Sequence, residues 1–292
     1  MKNMNTLCRT LVLATATLLV ANQTASAEQL NATTSKTLFA PLLADPLEPR
    51  VAVLPSLNER ALQLDIGSSS DLYLSENKEF AAGVDFGTWS RLRRSNEFKF
   101  PVDAIDYLFG VNASWKKTYN GDLLPFDTFS ARVRLSHISA HFEDGHYNAE
   151  TNQWMQQSEW SGTIPFTYSR EFINVVLALS SPKQRIYAGY QYLSHTLPEG
   201  INPHSFQAGA ELSTSGNTFI AADFKLLPLW QQSLEATRGT RGCWNLQAGI
   251  RLKGIGLEKV RVVGNYYSGI SRQGMYFYHP ESYTTAGVIL DL

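Results

Sequence analysis

The chain has 292 residues, of which 12% are aromatic and 17% charged, and its 25 basic and 26 acidic side chains leave a formal charge of −1. That balance is not the charge pattern of a nucleic-acid-binding protein. Beyond the N-terminal region no apolar run approaches the roughly 18 residues of a transmembrane helix, so a helical membrane protein is excluded as well.

Lys2 and Arg9 stand ahead of or at the edge of an apolar stretch, Leu11 to Ala21, which leads to Ala25-Ser26-Ala27. A basic start, a short apolar core and a small-x-small site predict a signal peptide over 1–27, cut between Ala27 and Glu28. The apolar stretch is too short to anchor in a bilayer, and Cys8 precedes it, so it is not placed as a lipoprotein cysteine. After cleavage Cys243 is the one cysteine left, and no intramolecular disulfide can form. Residues 28–49 contain Pro41, Pro46 and Pro49 without a clean period. They are expected to form an extended arm on the periplasmic side, or a small plug, ahead of a barrel domain over 50–292.

From Ile105 to Trp115 every second residue is apolar, with Asp106, Gly110, Asn112 and Ser114 on the other face. Period two over such a length marks a strand with one apolar and one polar side. The same alternation runs through Phe80 to Phe86, Phe206 to Leu212 and Trp244 to Leu252. The pattern predicts about twelve strands, near 50–57, 61–67, 79–91, 101–117, 126–143, 163–180, 184–196, 205–214, 218–227, 243–253, 257–268 and 281–292. Pro55 interrupts the first and the second is short, which leaves ten strands as the alternative. In the second half, short links (181–183, 215–217, 254–256) alternate with long ones (144–162, 197–204, 228–242, 269–280). Outer-membrane barrels alternate short periplasmic turns with longer extracellular loops, whereas a sandwich with Greek-key crossings has no reason to. At the C-terminus, Gly287, Leu290 and Leu292 are spaced like the signal read by the barrel-assembly machinery, with Leu292 where an aromatic residue is usual.

Three stretches resemble an uncharacterised bacterial family of unknown function expected to form outer-membrane barrels: Leu38 to Arg50, Arg134 to His141, and Tyr266 to Gly274. The resemblance implies a barrel and a cell-envelope address and carries over no catalytic residues.

His137, Ser139, His141 and Glu143 fall on one face of one strand, following Ala131, Val133 and Leu135. If that apolar set faces lipid, the cluster lies on the outward surface near the outer leaflet. His137-Ile138-Ser139 is similar in spacing to the His-x-Ser pairs of outer-membrane acyl hydrolases, phospholipase and lipid A deacylase. Residues two apart on a strand are about 6.6 Å apart on the same side, so the imidazole could act as base to the hydroxyl. Glu143 is about 20 Å along an ideal strand from His137, so Glu171 on another strand is the better acid to orient it. Ala140 stands where those hydrolases commonly carry asparagine, which leaves the oxyanion site in doubt. His137 and His141, about 13 Å apart on a strand, do not suit one zinc, so no metal or other cofactor is expected. Arg132, Arg134, Arg251, Arg261 and Lys253 lie on polar faces, where Asp106, Glu211 and Asp223 are available to pair with them. An internal salt-bridge network filling a narrow lumen is favoured over an anion-selective pore.

The combined expectation is an all-β, antiparallel transmembrane β-barrel in the outer membrane of a Gram-negative bacterium, structural or a small passive pore. Its expected partners are outer-membrane lipids, lipopolysaccharide and the barrel-assembly machinery, with no nucleic acid. The alternatives are a lipid acyl hydrolase using His137 and Ser139, and a soluble periplasmic β-sandwich that binds a ligand.

Overall fold

The computed structural model describes residues 37–94, 100–119, 125–141, 147, 148, 150, 153, 154, 167–213, 217–229, 239–252 and 257–292. The expected signal peptide, residues 28–36, Glu143, Lys253 and the link 254–256 lie outside the described residues.

The strands are β1 (Val51–Pro55), β2 (Ala61–Leu74), β3 (Phe80–Arg93), β4 (Val102–Thr118), β5 (Thr128–His141), β6 (Tyr147–Asn148), β7 (Gln153–Trp154), β8 (Ser169–Ser180), β9 (Gln184–Leu197), β10 (His204–Ser213), β11 (Thr218–Pro228), β12 (Thr240–Leu252), β13 (Leu257–Ile270) and β14 (Pro280–Leu290). The short pair β6–β7 stands apart; all the others form one closed barrel, each antiparallel to its neighbours in sequence, with β5 pairing β8. Closure is made by β1 against β14, in the register Val51↔Leu290 and Val53↔Val288. The barrel therefore has the twelve strands that alternation predicts, and the ten-strand alternative fails because β1 and β2 complete the ring. Gly287 sits at the seam, where a Cβ would run into the Val53 carbonyl oxygen.

Side-chain alternation explains why the sheet closes with its apolar face outward. Facing pairs such as Val111↔Leu135 and Phe109↔His137 on β4 and β5 point away from the axis, and Phe109, Val111, Val133, Leu135, Ile220 and Leu246 are exposed. Asp106, Asn112, Arg132, Arg134, Asp223 and Gln247 point inward and are buried. An apolar outside over a polar inside suits a bilayer, and a closed ring leaves no edge whose backbone groups would face lipid unpaired. The soluble β-sandwich is corrected here: one sheet closes on itself, so the polar faces meet in a lumen and the apolar faces are left outside.

Both the start of β1 and the end of β14 lie at one end of the barrel, with the links 75–79 and 181–183 and the strand ends Thr118, Thr128, Ser213, Thr218, Leu252 and Leu257. The opposite end carries 56–60, 198–203 and 271–279, together with the strand ends Arg93, Val102, His141, Ser169, Pro228 and Thr240. Short and long links alternate cleanly in the second half, while 119–127 and 56–60 depart from the pattern in the first.

Residues 37–49 are not an arm outside the barrel. They run inside it, with Phe39, Leu42 and Ala44 buried and Phe39 and Leu42 packed on Val176, Ala178 and Tyr187 of the wall. Of the two expectations for this segment, the small plug is the one that residues 37–49 meet, because the carboxylates Asp45 and Glu48, which the prolines alone do not point to, find cationic partners on the wall. From the opposite end, residues 271–278 fold into the lumen and bury Met275, Tyr276 and Phe277 among Trp89, Leu108, Ile138, Tyr168 and Phe172. Leu47 of the N-terminal plug packs against that same cluster, so plug and loop meet inside the barrel.

Depth on the outward face sets the cost of a charge. Leu135→Arg, at the middle of β5, should destabilise the folded barrel by about 2–4 kcal/mol, and Phe129→Arg near its end by about 0–1 kcal/mol. Reversible unfolding in lipid vesicles measures both; equal costs would contradict the lipid-facing assignment.

Candidate functional site

Among the described residues, the lumen holds a dense network of buried charged and polar side chains. Arg132 and Arg134 alternate on β5 with outward Val133 and Leu135, so both reach inward to one carboxylate on the plug. Arg132 donates from Nη1 to Glu48 Oε1 at 2.6 Å and from Nη2 to Oε2 at 3.0 Å. Arg134 donates from Nη2 to Oε1 at 2.8 Å and from Nη1 to Oε2 at 3.2 Å. Arg134 also bonds Asp85, through Nε at 3.1 Å. The Phe39 ring lies under Arg132, 4.5 Å from the guanidinium carbon. Burial alone would raise the Glu48 pKa, but the two guanidiniums beside it hold its carboxyl well below the usual carboxylate range.

The rest of the plug is fastened in the same way. Arg185 donates to the carbonyls of Ala40 at 2.7 Å and Pro41 at 2.6 Å while forking on Glu211, and Glu211 accepts the Leu43 amide at 2.8 Å. Lys225 reaches Asp45 at 2.6 Å, Gln207 bridges Asp45 and Asp223, and Asn245 donates to the Ala44 carbonyl at 2.6 Å. Asp65, fully buried, receives Arg50 at 2.9 Å and Arg272 at 2.7 Å. Arg272 also touches the Pro46 carbonyl, and the Gly274 amide donates to Asp106 at 2.7 Å. A cavity between plug and loop, lined by Leu47, Asp106, Arg170, Lys225, Cys243 and Phe277, amounts to about 50 Å³. At roughly 10–15 Å³ of such volume per water, it has room for a few waters only.

The described lumenal residues expected from sequence, which leave out Lys253, therefore point inward, but their pairing is corrected. Arg132 and Arg134 meet Glu48 and Asp85, Glu211 meets Arg185, and Asp223 meets Gln207 and Tyr187. Arg261 pairs with Asp291 and Gln247, and Arg251 lies over the Phe219 ring with its Nη1 3.5 Å from Ser213 Oγ. Alternation tells which face a side chain takes, whereas pairing depends on register and on partners brought in by the plug. Glu48, Asp45, Asp65, Asp85, Arg185 and Arg272 were missed. A usable signal was present: Asp45 and Glu48 are carboxylates set among prolines with no base nearby in sequence before Arg50.

On the outward face, His137 and Glu171 are brought together, Nδ1 to Oε1 at 2.7 Å, and His195 Nδ1 reaches Glu171 Oε2 at 2.6 Å. The register aligns His137 with Glu171 and Glu171 with His195, and a β-bulge at this point of β8 and β9 lets one carboxylate serve both rings. Ser139 Oγ lies 3.1 Å from His141 Nε2, so the serine meets His141 while His137 turns to the acid. The three-strand group is half exposed, with His137 and Glu171 at 40% and 41%.

Residues 111–290, more than half of the chain, match the family model described as "Protein of unknown function (DUF1207)". None of the curated proteins matches the chain in sequence. Among solved structures, an active-site mutant of outer membrane phospholipase A from Escherichia coli is similar with a TM-score of 0.56 at 12% identity, covering 88% of this chain and 94% of that one. The outer membrane phospholipase dimer of Salmonella typhi with bound calcium gives a TM-score of 0.55 at 10% identity, covering 84% and 93%. At such identities the likeness is one of fold, the outer-membrane type of barrel.

Removing the Glu48 carboxylate leaves two buried guanidiniums short of a partner. Glu48→Ala should weaken plug attachment by about 3–5 kcal/mol, read as faster tryptic cleavage after Arg50. Because the folded carboxyl titrates below its ordinary value, its contribution is complete above the ordinary pKa and fades only as pH falls through the lowered one. Wild-type protection should therefore be the same at pH 5 as at pH 7, and its loss at pH 5 would contradict the ion cluster.

Proposed function

The chain belongs to this family of unknown function, and from its filled lumen we propose that it serves as a closed structural barrel in the outer membrane of a Gram-negative bacterium. The observation that carries the reading is the meeting of plug and loop inside the ring, with Arg272 bonded both to Asp65 and to the Pro46 carbonyl. In this reading a signal peptide ending at Ala27 directs export, and Gly287, Leu290 and Leu292 present the terminal strand to the assembly machinery. Lipids and lipopolysaccharide pack against the exposed apolar side chains of the ring. The purified chain, inserted in planar bilayers from a heat-modifiable preparation, should show no conductance steps. Steady steps from the wild-type chain would replace this reading with the passive pore.

A second reading, a lipid acyl hydrolase, is favoured by one specific arrangement. Ser139 Oγ and His141 Nε2 stand at hydrogen-bonding distance on the outward face, next to the His137–Glu171–His195 group. A hydroxyl with an adjacent imidazole is the minimum for an activated nucleophile, and the similar solved barrels carry the name phospholipase. Ala140 and the turn of His137 toward Glu171 set this chain apart from the His-x-Ser pattern. Fatty-acid release from phospholipid vesicles that disappears in Ser139→Ala would establish the activity; release unchanged by Ser139→Ala, or none from wild type, would remove it.

A further inference from the structure

We propose that Arg132 and Arg134 form an anion-binding site on a latent anion passage, and that Glu48 of the plug is its built-in occupant. The inference rests on the reading of the chain as a plugged membrane barrel and concerns what the wall would do once the plug is out.

The site is a property of the wall. Both arginines belong to β5 and are buried, and the strand alternation fixes their inward direction whether or not the plug is present. Both Nη atoms of Arg132 donate to Glu48, and its buried Nε has no hydrogen-bond partner among the described residues. Arg134 retains Asp85 when Glu48 leaves, so one net guanidinium is released toward the axis. A planar fork presenting paired donors is suited to a carboxylate or a phosphate, and Glu48 shows the fit with a carboxylate. Small carboxylates and inorganic phosphate share that chemistry.

Elsewhere on the wall the cations near the plug are matched by wall or terminal acids, Arg185 by Glu211 and Arg261 by Asp291. The plug, residues 37–49, adds the acids Asp45 and Glu48 and no base, and these two take Arg132, Arg134 and Lys225 as partners. Taking the plug away therefore changes the lumen in one direction, toward attraction of anions, and rings of arginine select anions in pores.

Two experiments test this. In the first, a chain lacking residues 37–49 and with 273–278 replaced by two glycines is inserted in planar bilayers under a KCl gradient, after its heat-modifiable gel shift is checked. It should open, with a reversal potential on the chloride side, and inorganic phosphate should reduce the chloride current. In the same chain, Arg132→Gln with Arg134→Gln should raise the phosphate needed for half-block by about tenfold or more. A heat-modifiable chain that stays silent, prefers potassium or is blocked equally after both substitutions overturns the proposal. In the second, the full-length chain carries Glu48→Ala, which keeps Phe39 and Leu42 to hold the plug, and acetate is added to supply the missing carboxylate. Acetate should restore protection of Arg50 from trypsin in Glu48→Ala and have no effect on wild type. Failure of acetate and phosphate to rescue also overturns the proposal. Absence of a gel shift on boiling in the wild-type chain would instead overturn the barrel reading on which it rests.

Discussion

The rest of the structure depends on one carboxylate held by two guanidiniums in the middle of a barrel. A sheet that closes with its apolar side outward turns its polar side inward, and buried charges without partners cost several kcal/mol each. Glu48 supplies the partner that the wall lacks at Arg132 and shares Arg134 with Asp85. The plug is thus part of the electrostatic completion of the barrel, and its apolar residues Phe39 and Leu42 add burial on top of that.

The three stretches that carry the family resemblance meet in space. Leu38 to Arg50 is the plug, Arg134 to His141 is the wall strand that grips Glu48 and displays the outward histidines, and Tyr266 to Gly274 leads into the lumenal loop. Asp65 joins the first to the third by accepting both Arg50 and Arg272. Motifs distant in sequence therefore describe one assembly, a plug entering from the end that holds the start of β1 and the end of β14 and a loop entering from the other.

Much of the fold was legible because period two is a local signal: Ile105 to Trp115 and Trp244 to Leu252 read as strands and are strands. The outward placement of His137 and Ser139 followed from the same alternation. What alternation cannot carry is contact across strands. Arg132 was correctly placed on the polar face, yet its partner lies 84 residues away in a proline-containing segment with no period. Likewise His195 joins Glu171 only through a bulge, a one-residue change of register that leaves no mark in the pattern.

The position of the plug is the central claim, and thiol reactivity tests it most directly. Leu42 is 2% exposed and Cys243 is buried. A Leu42→Cys chain in intact outer membranes should resist a water-soluble maleimide until the sample is boiled in SDS, when both cysteines react. Rapid labelling of position 42 in a chain that still shows the unboiled gel mobility would place the segment outside the barrel and contradict the account.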